Sequence, residues 1–288
     1  MTENLLVANK AGTLGKSTIA SIVIAPRFGC DEVIAIETEN AAGTRYAEKV
    51  KHFTADLYSD YAAHVMETND AGRRTVTDLG SSNYVRFVDN LRLAGGIALI
   101  DYLVVITDTQ ERSQTDAVET IRAFYNYGLD PSKVRVVLNK ASLPSPTMPI
   151  ERQYDTLFAA ARVDPRIKLN ANCWMPSLSI YDHMVFNGIR WHELMADTTD
   201  HAAALRATIA DGATLERAKT VAFRLARMGR DAAINFADRL YAELSIGDPV
   251  QLLKNTPKVD NPPATAPADT KSDTSRPNTA EKAPTVKA

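Results

Sequence analysis

Residues 5–18 read LLVANKAGTLGKST, and this stretch decides the fold. Leu5–Ala8 is a short unalternating apolar run, the pattern of a strand buried on both faces. It passes directly into Asn9-Lys10-Ala11-Gly12-Thr13-Leu14-Gly15-Lys16-Ser17-Thr18, and a helical pattern over Ser17–Ala25 follows at once. Strand, glycine-bearing turn, Gly-Lys-Ser/Thr and helix, in that order, is the context in which a loop grips a phosphate. Gly15 allows the turn that brings backbone N–H groups to face an anion. Lys16 supplies a positive charge for β- and γ-phosphates, Ser17 a hydroxyl for Mg²⁺, and the helix N-terminus its dipole. The residues expected to line the nucleotide are therefore Gly12, Thr13, Leu14, Gly15, Lys16, Ser17 and Thr18. The full motif places a further glycine five residues before its second glycine. Here that position is Lys10.

Further apolar runs suit buried strands: Val33–Ile36, Thr75–Leu79, Tyr102–Thr107, Val134–Leu138 and Ile167–Leu169. Helical patterns such as Val85–Leu93 and Gln114–Tyr127 lie between them. Short strands alternating with helices predict a doubly wound, mostly parallel α/β sheet. Ligands bind such sheets beyond the carboxyl ends of the strands. Two of these ends carry acids. Val33–Ile36 leads into Glu37-Thr38-Glu39-Asn40, and Thr75-Val76-Thr77 leads into Asp78. Asp78 is the candidate Mg²⁺ ligand with Ser17, against the alternative of a turn or cap residue. Val134–Leu138 ends in Asn139-Lys140-Ala141-Ser142. Asn139 there suits the edge of a purine or a plain turn. Ser142, where a guanine-reading motif has Asp, disfavours GTP.

Taken together, NKAGTLGKST, IETEN, TDLGSSN and VVLNKAS resemble the ParA/MinD superfamily of P-loop ATPases, and more closely the StbB-type plasmid stability proteins. The stretches TDLGSSNYVRFVDNL and DYLVVITDTQERSQTDAVETI strengthen the likeness, which covers roughly residues 5–190. The resemblance implies a P-loop NTPase fold of the SIMIBI type, ATP and Mg²⁺ as cofactors, and an ATP-dependent homodimer that hydrolysis opens. It implies catalytic roles for Lys16, for Glu39 as the acid that positions water, and for Asp78 as the Walker-B acid. It implies an adenine contact for Asn139. Members of that superfamily carry a signature lysine that reaches the partner's nucleotide. That position is Ala11, with Lys10 one residue earlier, and the resemblance leaves open whether Lys10 replaces it. Slow hydrolysis is the expectation. A non-hydrolytic switch is the alternative. A P-loop kinase, with Arg152, Arg162 and Arg166 in a lid, is a third reading.

Domain organisation is expected as an ATPase domain over 1–198, a helical extension over 199–250 and a disordered tail over 251–288. The tail's Pro, Thr, Ala, Asp, Lys and Ser cannot bury enough apolar surface to offset the entropy of ordering. Glu216–Leu240 reads as one helix. Ala218, Val221, Leu225, Met228 and Ala232 form its apolar face, with Lys219, Arg224, Arg227 and Arg230 opposite. That basic stripe is either a solvated face or a contact for DNA or lipid phosphates, and Phe223 on the basic side favours contact. The resemblance points to a DNA-bound partner protein.

The remaining composition narrows the class. A net charge of −2 argues against a globally nucleic-acid-binding or membrane-binding chain. No signal peptide or spanning segment is visible, which predicts a cytoplasmic protein. Cys30 and Cys173 stand alone and read as free thiols. The five histidines show no metal-ligand spacing, and Trp174 and Trp191 read as packing residues. The loop Asn172–Pro176 is placed near the base by analogy.

Overall fold

The computed structural model describes residues 3–30, 32–37, 47, 49–210 and 214–246. The tail expected over 251–288 lies outside the described residues. Seven parallel strands form one sheet in the order β3-β2-β4-β1-β5-β6-β7. They are β1 (Asn4–Ala8), β2 (Val33–Ile36), β3 (Val50–Phe53), β4 (Thr75–Leu79), β5 (Tyr102–Thr107), β6 (Val134–Ala141) and β7 (Trp174–Pro176). β1 lies at the centre, paired with β4 on one side and β5 on the other. The expected doubly wound α/β architecture is therefore what the chain adopts.

Each central strand is apolar throughout because both of its faces are covered. Leu6 and Ala8 point into one core with Ile34, Leu79, Leu103 and Val105. Helices α3 (Tyr58–Asp70), α4 (Tyr84–Leu93), α5 (Glu111–Asn126) and α7 (Asp155–Val163) supply its other half. Leu5 and Val7 point into a second core with Val33, Val76, Val104 and Ile106. That side is closed by the helix after the first strand. It begins as α1 (Lys16–Thr18), widens into a π-helical stretch at Ile19–Ile24 and ends as α2 (Ala25–Phe28). All six residues of the widened stretch are buried. Ile19, Ala20, Val23 and Ile24 pack on the sheet, while Ile22 packs outward against the C-terminal helices.

The last third of the unit is helical: α8 (Ser179–Asn187), α9 (Trp191–Ala196), α10 (His201–Ala210) and α11 (Thr214–Leu244), after the short α6 (Ile150–Gln153). α11 is a structural member of the sheet's second face. Ala237, Leu240, Tyr241 and Leu244 are buried in that core, and Asp238 pairs with Arg27 of α2 at 2.6 Å.

Three sequence expectations are corrected. Ile167–Leu169 is not a strand. The seventh strand is Trp174–Pro176, inside the stretch expected to be a loop. β3 was not anticipated, because three of its four residues are at least partly exposed at the sheet edge and only Phe53 is buried. The apolar face of α11 is also reversed. Ala218, Val221, Leu225, Met228 and Ala232 are all exposed, and Ala222, Ala226, Ala233 and Ala237 are the buried positions. Close packing explains the reversal. A Cβ placed on Gly229 would come within 3.0 Å of the Ile180 Cβ of α8, so small residues are what this contact admits.

Candidate phosphate-binding site

The site grows out of the carboxyl end of β1. Asn9, fully buried, anchors the turn twice. Its Nδ2 donates to the Ile106 carbonyl of β5 at 2.6 Å, and its Oδ1 accepts from the Ala11 N–H at 3.0 Å. The loop then passes through left-handed backbone at Thr13 (φ 57°) and Gly15 (φ 81°). This alternation belongs to the curled main-chain nests that hold anions. Thr13 carries a Cβ in that region, a local strain of about 1 kcal/mol or more that surrounding contacts must hold. Lys140, itself left-handed at φ 57°, donates its Nζ to the Thr13 carbonyl at 2.6 Å. Asn139 donates its Nδ2 to the Leu14 carbonyl at 2.7 Å, and Tyr154 donates its hydroxyl to the Asn139 carbonyl at 2.6 Å. The end of β6 therefore clamps the loop from the side. Lys140 and Tyr154 were not singled out from the sequence. The dipeptide Asn139-Lys140 at a strand end was the available signal.

Lys16 is 7% exposed, and its ammonium donates to the Ala11 carbonyl at 2.7 Å, folded back along its own loop. Burial lowers its pKa, opposed by the nearby carboxylates of Asp78 and Glu37. Glu37 is the acid directly after β2, whereas the acid expected from the family likeness, Glu39, lies outside the described residues.

Asp78 sits in register with Val7 of β1, at the threshold of the loop. It is 1% exposed, and neither carboxylate oxygen has a hydrogen-bond partner of normal geometry. Burial raises its pKa, opposed by the Ser17 hydroxyl and the Lys16 charge. A buried carboxylate without partners is costly. A hard cation coordinated by oxygen relieves that cost, and the Ser17 hydroxyl is the second oxygen at hand. The donor set thus fits Mg²⁺, with Ser17 and Asp78 as its protein contacts. Bound there with a triphosphate, Mg²⁺ would supply neutralisation of phosphate charge.

Beside the loop, a cleft of about 170 Å³ is lined by residues including Gly15, Thr18, Asn139, Met175, Pro176 and Tyr181. Asn139 and the Met175-Pro176 segment are thereby brought together, although that segment is strand rather than loop.

Lys10 points away from the phosphate loop. Its Nζ is 3.0 Å from Glu119 and 3.8 Å from Asp116, both on α5. The hydrogen bond and charge of Glu119 raise its pKa, with Asp116 adding to them.

Much of the basic stripe on α11 is engaged within the chain. Arg227 donates to the Thr199 carbonyl at 2.7 Å, and Arg230 lies 3.3 Å from Asp231. Lys219 and Arg224 are exposed. Phe223, expected on a contact surface, stacks instead on His201 with ring centroids 5.8 Å apart. Of the lid arginines, Arg166 is held by both oxygens of Asp164, and Arg152 by the Thr147 carbonyl. Neither Cys30 nor Cys173 is in a disulfide, and burial pushes Cys173 up to about 12. Trp174 packs under Arg239, as a packing residue does. Among the described residues no group of His, Cys, Asp and Glu side chains is arranged to hold a metal on its own, and no helix is long and apolar enough to cross a membrane.

No protein-family model and no curated protein matches the chain. Several solved structures are similar to it. A MinD cell division protein from Aquifex aeolicus aligns at 11% identity, over 84% of this chain and 98% of its own, with a TM-score of 0.49. A ParA family ATPase from Chlorobium tepidum TLS aligns at 10% identity, over 69% and 93%, with a TM-score of 0.47. A Cyanothece McdA variant in complex with ATP aligns at 12% identity, over 67% and 90%, with a TM-score of 0.43.

Proposed function

We propose that the chain is a P-loop ATPase of the partition type, which binds Mg²⁺·ATP and associates with a second copy when ATP is bound. The observation that carries this reading is the buried carboxylate of Asp78, which lacks a hydrogen-bond partner of normal geometry and feels the Lys16 charge and the Ser17 hydroxyl. Lys16 and the loop backbone would bind the phosphates, Ser17 and Asp78 the metal, and Asn139 with Pro176 the base side. The likeness to StbB-type proteins suggests a role in plasmid stability or conjugative transfer through a DNA-bound partner. Size-exclusion chromatography of wild type and Lys16→Ala, with ADP and with a non-hydrolysable ATP analogue, tests the reading. With the chain at about 1 µM, a dimer formed only by wild type with the ATP analogue supports it. Failure of wild type to bind any nucleotide removes it.

A second reading is favoured by one observation. Ala11 stands at the signature-lysine position, and Lys10 is tied to Glu119 and Asp116 on its own chain. Without a cation to stabilise the transition state in trans, hydrolysis would be slow, and partner exchange would reset the protein as a switch. Turnover measured with and without DNA separates the two readings.

A further inference from the structure

The helix α11 has a bare seam. Ala218, Val221, Leu225, Met228, Ala232 and Asn235 are exposed, with Val221 at 36%, Leu225 at 41% and Met228 at 74%. They follow one another at steps of three and four residues, the spacing at which a helix presents a seam to another helix. The adjacent face of α11 is already used: Ala222, Ala226 and Ala233 are buried together with Ile180 and Met184 of α8.

We propose that this seam is an interface between two copies of the chain, paired antiparallel about a two-fold axis near Ala226 and Arg227. The charge pattern along its free flank selects this occupant. The axis sets Leu225 against Met228 of the partner subunit and Val221 against Ala232 of the partner subunit. It also brings Arg224 to the same flank as the partner subunit's Asp231, about 3 Å apart along the axis and within reach of a long side chain, and the symmetry repeats that pair. Asp231 is 69% exposed and pairs with its neighbour Arg230 at 3.3 Å, which leaves it accessible to a second cation. Parallel pairing would bring Arg224 beside Gly229 of the partner subunit and leave both charges unmatched. The seam is self-complementary only in the antiparallel sense, as an isologous contact requires. A phosphate-binding face would be basic through its centre, whereas this centre is Val221, Leu225 and Met228, with Asp231 on its flank.

The seam spans about 18 residues, roughly 27 Å of helix. That is less than a standard interface, so the expected affinity is on the order of 10 µM. The inference is independent of the nucleotide reading, and its test removes the phosphate loop from play. Sedimentation equilibrium is run on the full chain carrying Lys16→Ala, without nucleotide. A concentration-dependent dimer is expected. Adding Met228→Asp, at an exposed position that leaves the fold intact by circular dichroism, should weaken it at least about 30-fold. Arg224→Asp or Asp231→Arg alone should weaken it about 5-fold, and the two together should restore it to within about twofold. A monomer at all concentrations up to about 200 µM overturns the proposal. So does a dimer indifferent to the charge exchange, or charge reversals that change only retention on DNA.

Discussion

The Asn139 side chain donates to the Leu14 carbonyl at 2.7 Å, so the end of β6 holds the phosphate loop that β1 launches. A Cβ on Gly15 would lie 2.6 Å from the same Asn139 Nδ2, on backbone already at φ +81°. Gly15→Ala therefore meets both strain and a collision. It should weaken binding of a fluorescent ATP analogue by at least about tenfold, and Asn139→Ala, which removes the clamp without straining the loop, by about five-fold. Equal affinity in all three proteins would show that the clamp does not shape the site.

Asp78 yields a stability prediction with a definite sign. Burial raises its pKa in the folded chain, against the pull of Ser17 and Lys16. A carboxyl whose folded pKa lies above its unfolded value holds its proton more tightly when folded. Stability is therefore lost as pH rises from the ordinary carboxylate value through the folded one. Asn carries no such penalty. Asp78→Asn should melt higher than wild type at pH 7 by about 1–2 kcal/mol, or a few degrees, with the gap closing towards pH 4. Mg²⁺·ATP should raise the melting temperature of wild type only. Differential scanning calorimetry across pH 4–8 reads both effects, and a less stable Asn variant at pH 7 contradicts them.

Lys10 is the test of trans catalysis. Because Glu119 and Asp116 hold its ammonium on α5, Lys10→Ala should leave ATP turnover within about twofold of wild type, the margin expected of an exposed ion pair. Abolished turnover would make Lys10 the missing cation and end the switch reading.

The Asp197–His201 pair braces the start of α10, and from α11 Arg227 lies 4.0 Å from the same Asp197 while Phe223 stacks on His201. The His201 Nε2 lies 2.5 Å from Asp197, and both side chains are nearly buried. Burial pushes the Asp197 carboxyl up, but hydrogen bonds from His201 and Thr199 overcome it and hold the group at about 2. A depressed folded pKa contributes stability that is present above the unfolded value and lost as pH falls towards 2. Asp197→Ala should speed amide hydrogen exchange across 201–207 by about tenfold at pH 7 and leave the sheet protected. Unchanged exchange in that segment would refute the brace.

α11 is predicted to be part of the core through its last two turns. Leu240, fully buried beneath the sheet, should cost about 2–4 kcal/mol on change to Ala, measured by urea denaturation. A cost below about 1 kcal/mol would mark the helix as a loosely attached extension.

The residues that made the fold legible are those with a single physical reading. Leu5–Ala8 followed by Gly15-Lys16-Ser17 admits little besides strand, anion loop and helix, and the apolar runs of β2, β4, β5 and β6 fit only a doubly covered sheet. Edge elements were obscure for the opposite reason. Val50-Lys51-His52-Phe53 carries two exposed polar residues because β3 has one neighbour strand. Trp174–Pro176 is three residues long and ends in proline, which suits an edge strand with an irregular register. In α11 the sequence offers two faces, one of alanines and one of Val221, Leu225 and Met228. Bulk favoured the second, but close approach to α8 selects the first. Within the site, Lys16, Ser17, Asp78 and Asn139 are brought together from three strand ends. The clamp by Lys140 and Tyr154 depends on the left-handed turn after Asn139, which the letters alone do not specify.

The most direct test is isothermal titration of ATP into wild type and Lys16→Ala, with and without Mg²⁺, at about 5 µM protein, below the expected self-association of α11. The account predicts saturable, Mg²⁺-strengthened binding to wild type and none to Lys16→Ala. Equal heats from the two proteins, or no binding to wild type, would contradict it.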